Sequence, residues 1–294
     1  MCAKDWGLKS RAGIDSFPGM IKIQVNPKPF LKWVGGKRQL LDSLNQRLPN
    51  MIARYHEPFL GGGALFFDLA ACGKIKKAFL SDVNAELINA YAVVRDHVEA
   101  LIFGLQNKTY SEKEFYRIRA LKPAELTAIE RAARLIYLNK TCYNGLYRVN
   151  SRGEYNVPYG RYKNPKICDA ENLRACSNAL KFADLACRSF ESIKSRAKKG
   201  DFIYFDPPYH PVSQTSNFSS YSRGGFEESD QKKLGEIFSK LSEKGCRVIL
   251  SNSHSKFTRE LFAGWDIETV KASRAVNSKA SGRGTVKEIL VRNY

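Results

Sequence analysis

The stretch Phe202-Ile203-Tyr204-Phe205-Asp206-Pro207-Pro208-Tyr209 decides the fold. Four consecutive apolar or aromatic residues are too short for a stable helix. Lacking polar alternation, they read as a strand covered on both faces, as in parallel sheets. Two successive prolines cannot continue a sheet ladder or open an ordinary helix at that point, so the chain must leave the strand in a stiff corner. Open α/β sheets bind ligands in that place, beyond the carboxyl end of a strand. The corner offers the Asp206 carboxylate, the Pro207 carbonyl without a competing N–H, and the flat ring of Tyr209. These parts suit an exocyclic amino group on a nucleobase: two acceptors take its two N–H bonds while the ring stacks. Accepting those bonds disfavours the conjugated amine and frees the nitrogen lone pair. An Asp-Pro pair alone would read as a surface turn; the strand followed by the whole of D-P-P-Y favours the base.

Two more runs share this form, Ala78-Phe79-Leu80-Ser81-Asp82 and Arg247-Val248-Ile249-Leu250-Ser251-Asn252. Before the second, Leu234, Ile237, Phe238 and Leu241 recur at helical spacing, with Ser229 or Asp230 near the N-cap and Gly245 at the close. Strand, helix and strand in that order form the βαβ unit of a doubly wound sheet, so the fold class is α/β. Residues 85–168 have another texture. Leu87, Ile88, Tyr91, Val94 and Val98, then Ile129, Ala132, Ala133, Ile136 and Tyr137, mark helices. A polar, aromatic loop follows; from Lys140 to Lys166 it has six Lys or Arg against one acid, Glu154. The expected organisation is a flexible N-terminal arm over 1–28, an α/β domain built from 29–84 and 169–294, and a mainly helical recognition lobe over 85–168 inserted between its halves.

The 294 residues carry 48 Lys or Arg and 29 Asp or Glu, a net +19, which is the footprint of a polyanion binder, most often nucleic acid. Solubility charge or an anionic membrane surface are the alternatives. A hydrophobic fraction of 43% supplies a core and excludes global disorder. No run approaches the ~18 apolar residues of a membrane span. The opening MCAKDWGLKSRAGIDSF has charges where a secretory signal needs an apolar stretch, so a cytoplasmic, nucleoid-associated protein is expected. Seven cysteines, none in C-x₂₋₄-C spacing, read as small buried hydrophobes; neither a disulfide nor a metal is expected. His56, His97, His210 and His254 form no constellation. No interface signal stands out, so a monomer is the default.

Two further motifs bear on chemistry. In Glu57-Pro58-Phe59-Leu60-Gly61-Gly62-Gly63-Ala64, three glycines allow a close backbone approach and turn the chain into a helix beginning near Ala64. Asp82 follows nineteen residues after Gly63, at a strand end, where a carboxylate bonds ribose hydroxyls in nucleoside-binding α/β folds. Neither G-x-G-x-x-G nor a Walker Lys-Ser/Thr is present, which favours a nucleoside-bearing cofactor other than a dinucleotide or NTP. Phe30-Leu31-Lys32-Trp33-Val34-Gly35-Gly36-Lys37 sets an aromatic, two glycines and a cation before a helix carrying Leu40, Leu41 and Leu44.

Taken together, F-L-K-W-x-G-G-K, E-P-F-x-G-G-G, a strand-end Asp, Y-N-G-L-x-R, R-G-E-x-N-V-P-x-G-R-Y-K, D-P-P-Y and T-x-N-F-x-x-Y occur in order over about residues 29–294. In this the chain resembles the Dam-type DNA adenine-N6 methyltransferases, and its motif order is similar to the α group of amino-methyltransferases. The resemblance implies a Rossmann-like doubly wound methyltransferase core, S-adenosylmethionine as cofactor, and duplex DNA as partner with an adenine flipped from a GATC site. By the same resemblance Trp33 and Lys37 line the cofactor pocket, the turn from Phe59 through Gly61 to Gly63 approaches the methionine end, and Asp82 holds the ribose. Asp206, Pro207, Pro208 and Tyr209 form the catalytic corner, with Asp206 between cofactor and base. Lys32 contacts the first guanine and Tyr143 wedges between base pairs. Asn144, Leu146 and Arg148 read bases, supported by Pro158 and Arg161. Arg suits a guanine edge and Leu a thymine methyl, whereas Lys140, Arg152, Lys163 and Lys166 read as phosphate contacts. Thr215 to Tyr221 resembles a loop closing over the flipped base, and Lys271, Arg274, Lys279 and Arg283 suit a phosphate-contacting loop. Three rivals stand beside this reading. Cytosine-N4 enzymes usually show Ser before Pro-Pro-Tyr, protein-glutamine and some RNA enzymes show Asn, and a catalytically idle DNA-binding regulator would keep the fold without turnover.

Overall fold

The computed structural model describes residues 25–210, 226–273 and 285–294, Val34 and Gly36 excepted. Most of the expected arm, the Thr215–Tyr221 loop, and Arg274, Lys279 and Arg283 lie outside the described residues. One seven-stranded sheet organises the rest, in the order β3-β2-β1-β4-β5-β7-β6. Its strands are β1 (Ile52–Glu57), β2 (Ile75–Asp82), β3 (Ala183–Cys187), β4 (Phe202–Phe205), β5 (Arg247–Ser253), β6 (Asp266–Ser273) and β7 (Thr285–Arg292). Five are parallel, and β7 runs antiparallel between β5 and β6. The three strands expected from sequence are β2, β4 and β5. The sheet is the doubly wound α/β fold that the D-P-P-Y strand implied. Its order reverses between β1 and β4, and the crevice outside their carboxyl ends is the natural ligand position.

Side chains alternate between two cores, as strand geometry requires. Phe202, Tyr204 and Ile249 face one cluster with Phe66, Leu87, Tyr91 and Leu173. Ile203, Phe205 and Leu250 face a second cluster with Phe190, Leu234, Phe238 and Phe262. The first cluster sits under α2 (Ala64–Ala71), α3 (Ala85–Asp96) and α7 (Ala170–Leu180), and the second under α9 (Glu228–Glu243). In α9 the N-cap is Glu227, in place of the expected Ser229 or Asp230. Its side chain accepts from the third helical N–H, and Asp230, at that third position, bonds back to the Glu227 N–H.

Helix α3 stops at Asp96, because His97 leaves helical geometry (φ −137°, ψ 38°), and α4 (Val98–Gln106) begins at the next residue. Two more helices, α5 (Glu112–Ala120) and α6 (Ala128–Thr141), complete the middle segment. Leu87, Tyr91, Ala132 and Ile136 belong to the sheet's own core, so α3 and α6 are packed continuously with it. A separate small cluster gathers Phe115, Ile118, Tyr137, Leu138, Cys142, Tyr155 and Val157. It anchors the loop after α6, which is closed by antiparallel bridges pairing Cys142 with Tyr159 and Val149 with Tyr155. The loop's tip, Arg152-Gly153, is exposed, and Gly153 takes φ +82°. Upstream, the Lys28 N–H donates to Asn172 Oδ1 (2.9 Å) while its carbonyl accepts from Asn172 Nδ2 (2.9 Å), which fixes the chain's approach to the sheet on α7.

Candidate active site

Three carboxylates stand at the carboxyl ends of three adjacent parallel strands: Asp82 on β2, Glu57 on β1 and Asp206 just past β4. Continuous hydrophobicity brings β4 through the middle of the sheet and delivers Asp206 to the switch point. Its side chain is 18% exposed, with Lys37 Nζ 3.0 Å from Oδ1. Ser251 Oγ donates to the same oxygen (2.9 Å) and itself lies 3.1 Å from the Tyr204 hydroxyl. Burial raises the Asp206 pKa above the ordinary carboxylate range, and the Lys37 ammonium opposes that rise. Lys37 Nζ also donates to the Gly35 carbonyl (2.8 Å) and stands 4.1 Å from the centre of the Tyr209 ring. The Tyr209 hydroxyl donates to Glu288 Oε2 (2.6 Å).

The diproline corner is held from outside. Gln231 Nε2 donates to the Pro208 carbonyl (2.9 Å), Asn252 Nδ2 donates to Gln231 Oε1 (3.0 Å), and Ser253 Oγ donates to the His210 carbonyl (2.8 Å). Gln231 and Asn252 are fully buried. Their hydrogen bonds are therefore costly to break, and the corner is a fixed element rather than a loop.

Glu57 is 3% exposed, with the Tyr55 hydroxyl donating to Oε2 (2.9 Å). Burial first, and the charges of Asp206 and Asp82 after it, push its carboxyl pKa well up. Past Glu57 the glycine turn has no room for side chains. A Cβ on Gly61 would stand 2.9 Å from Trp33 Cδ1, and one on Gly63 would stand 2.7 Å from the Tyr91 hydroxyl; both residues also have positive φ. Asp82 ties this turn to β2, accepting from the Gly61 N–H (3.1 Å) and the Asn84 N–H (2.9 Å). Burial raises its pKa as well. Phe59 turns away from the carboxylates, stacking on Phe190 (5.1 Å between centroids) and packing edge-on against Phe205 and Phe226.

The candidate DNA-reading residues converge on a second feature beside this pocket. Tyr143 to Gly145 form a tight turn in which Asn144 takes φ +55°. Tyr143 is 45% exposed, and its N–H donates to the Pro158 carbonyl (2.9 Å). The Arg148 guanidinium is oriented by Asn156, Nε donating to Oδ1 (2.7 Å). Arg161 is exposed with φ +46°. Lys32 joins the group: its side chain lies across Gly145, and its Nζ stands 4.8 Å from the Tyr162 ring centre. Leu146 is half-buried, its carbonyl accepting from the Tyr155 hydroxyl (2.7 Å). Sequence reasoning quoted Glu57 within its motif and Ser251 at its strand end without giving either a role. Tyr147 and Asn139 carried no signal because the partners that matter, Trp33 and the Lys32 backbone, lie more than a hundred residues away.

The strand order, the glycine turn after the first strand and an acceptor carboxylate on a rigid corner at the switch point define a Rossmann-like methyltransferase core. A family model described as D12 class N6 adenine-specific DNA methyltransferase matches residues 33–276, and the chain belongs to that family. It is 44% identical over 281 residues to the type II methyltransferase M1.LlaDCHI of Lactococcus lactis subsp. cremoris, covering 93% of this chain and 98% of that protein. It is 42% identical over 286 residues to the type II methyltransferase M.MjaIII of Methanocaldococcus jannaschii, covering 91% and 99%. A DNA adenine methylase of Haemophilus influenzae is 33% identical over 276 residues, covering 92% and 95%. The Dam-type resemblance is thus borne out, and the protein is an enzyme of the adenine-specific DNA methyltransferase class. No helix among the described residues is long and apolar enough to cross a membrane, and no group of three or more His, Cys, Asp or Glu there could hold a metal.

Proposed function

We propose that this enzyme methylates N6 of an adenine turned out of duplex DNA at GATC, using S-adenosylmethionine. The observation that carries the reading is the Asp206 carboxylate fixed on a diproline corner beside the Tyr209 ring. The cofactor fits the residues present. Its adenosine needs a close backbone approach, which the glycine turn allows, and ribose hydroxyls find an acceptor in Asp82. Its positive sulfur suits the Asp206 carboxylate at the corner. When bound, S-adenosylmethionine supplies a methyl group on a sulfonium, a bond already polarised for attack.

The protein's own part is to place and prepare the base. Tyr209 stacks on the purine, while Asp206 and the Pro207 carbonyl accept the two N6–H bonds. The N6 lone pair is then directed at the methyl carbon. With the cofactor bound, Asp206 would face the N6 nitrogen as that atom gains positive charge on accepting the methyl group. Acceptors already in place for that charge need no reorganisation, and this is where most of the rate arises. Lys37 holds the position the base requires, close to Asp206 Oδ1 and over the Tyr209 ring, so its ammonium withdraws before a base enters. At the reading turn, the Arg148 plane set by Asn156 suits a guanine edge and Leu146 suits a thymine methyl, which supports GATC.

Expression with a GATC-bearing plasmid, followed by methylation-sensitive digestion and sequencing-based detection of modified adenine, tests the site. Asp206→Ala is expected to lower methyl incorporation by about a hundredfold or more while duplex binding persists. Near-normal incorporation by that variant would contradict the assignment of the corner. Binding by the unaltered protein without incorporation would instead support an idle regulator.

A further inference from the structure

The cofactor-side turn and the DNA-reading turn are joined through two side chains, Tyr147 and Asn139. Tyr147 lies between Leu146 and Arg148, and its ring packs edge-on against Tyr155 (5.8 Å between centroids). It stacks on Trp33, with centroids 5.3 Å apart and planes at 25°. The same indole meets the glycine turn, since Trp33 occupies the space a Gly61 Cβ would need. One tyrosine thus backs the indole that fills the space beside the glycine turn. A second tie runs parallel to it. The Asn139 side chain, 1% exposed, accepts from the Lys32 N–H (2.8 Å) and donates to the carbonyls of Lys32 (2.8 Å) and Gly145 (3.0 Å). The segment carrying Trp33 and the turn carrying Leu146 and Arg148 are therefore held at a set spacing, and Tyr147 fills that spacing.

We propose that Tyr147 is a positioning residue that couples base reading to cofactor binding: its stack on Trp33 ties the reading turn to the cofactor-side turn, so that a correctly seated site favours the arrangement in which Trp33 completes the cofactor cradle. The proposal rests on the function assigned above. Coupling of this kind is reciprocal, so correct DNA must tighten cofactor binding by the same factor as cofactor tightens correct DNA. An aromatic pair adds about 0.5–1.5 kcal/mol beyond burial, so the expected factor is about two- to tenfold.

The test is calorimetric titration of S-adenosylhomocysteine into the full chain in three states: free, with a duplex carrying the site found by plasmid sequencing, and with a scrambled duplex. The unaltered protein is expected to bind about two- to tenfold more tightly with the correct duplex than with the scrambled one. Tyr147→Leu, which keeps apolar bulk without the ring, is expected to bring that ratio to about one; Tyr147→Phe is expected to keep it. A purely structural role would weaken binding in all states equally and leave the ratio intact, and that result overturns the proposal. So does an unaltered protein that binds cofactor with a ratio of one, while the assigned function stands. Failure of the unaltered protein to bind the nucleoside at all removes the function and the coupling together. Should Tyr147→Leu prove unstable on thermal unfolding, Tyr147→Met carries the same comparison.

Discussion

At the residue scale, Glu57 shows how function sits against stability. Its carboxyl is raised by burial and by two neighbouring acids, so the folded protein holds its proton more tightly than the unfolded chain does. Stability from that proton is fully present below the ordinary carboxylate range and is lost as pH rises through the raised folded value. Glu57→Gln keeps an oxygen for the Tyr55 hydroxyl and removes the titration. The variant's melting temperature should therefore exceed that of the unaltered protein more at about pH 9 than at about pH 5, as differential scanning calorimetry would show; a gap independent of pH would contradict it. Lys37 offers a test of the opposite kind. Lys37→Met clears the Tyr209 face and leaves Asp206 without its cation, so a base can enter unopposed. With 2-aminopurine at the target position and no cofactor present, the everted fraction should rise by about two- to thirtyfold, as expected for removing a cation–π contact of roughly 0.5–2 kcal/mol. Turnover should fall at the same time, because the pocket loses a wall.

Among the elements, α6 carries the greatest burden, since Asn139 on it bonds both the Lys32 segment and the Gly145 carbonyl. Asn139→Leu strands three backbone groups, each costing about 1–3 kcal/mol if left unpaired. Urea unfolding should show a loss of about 3 kcal/mol or more with an unchanged slope. The elements also differ in how far sequence revealed them. β4 and β5 were legible because both faces are covered, leaving unbroken apolar runs. β1 was hidden: Arg54, His56 and Glu57 look like loop residues, and the burial of His56 makes sense only once Asp201, from beyond the middle segment, meets Arg54 Nε (2.8 Å) and His56 Nε2 (2.7 Å). Burial keeps the His56 pKa below its ordinary value. β6 was missed because Asp266, Glu268 and Thr269 break its apolar residues apart, and β7 because Lys287 and Glu288 interrupt it before the buried Ile289-Leu290-Val291. Of the site, the D-P-P-Y corner and the glycine turn were local and readable. The contacts of Tyr147 and Asn139 depend on chain segments meeting from far apart, and no spacing rule records that.

For the molecule as a whole, a net +19 predicts strongly salt-sensitive DNA binding. In a fluorescence-anisotropy titration, log affinity should fall by about 0.9 per neutralised phosphate for each decade of salt. A flat dependence would mean that the charge is directed elsewhere. The strand order carries another consequence. β1 and β2 precede the exposed Gly153 hairpin tip, whereas β3 and β4, which flank that pair in the sheet, follow it. A chain severed at this tip would give two fragments, neither with a finished sheet: the first lacks both neighbours of its strand pair, and the second has a gap where two strands belong. Each half would remain silent until its counterpart arrived. Fused to two interacting proteins, such halves would write a lasting chemical mark on nearby DNA only when those proteins met.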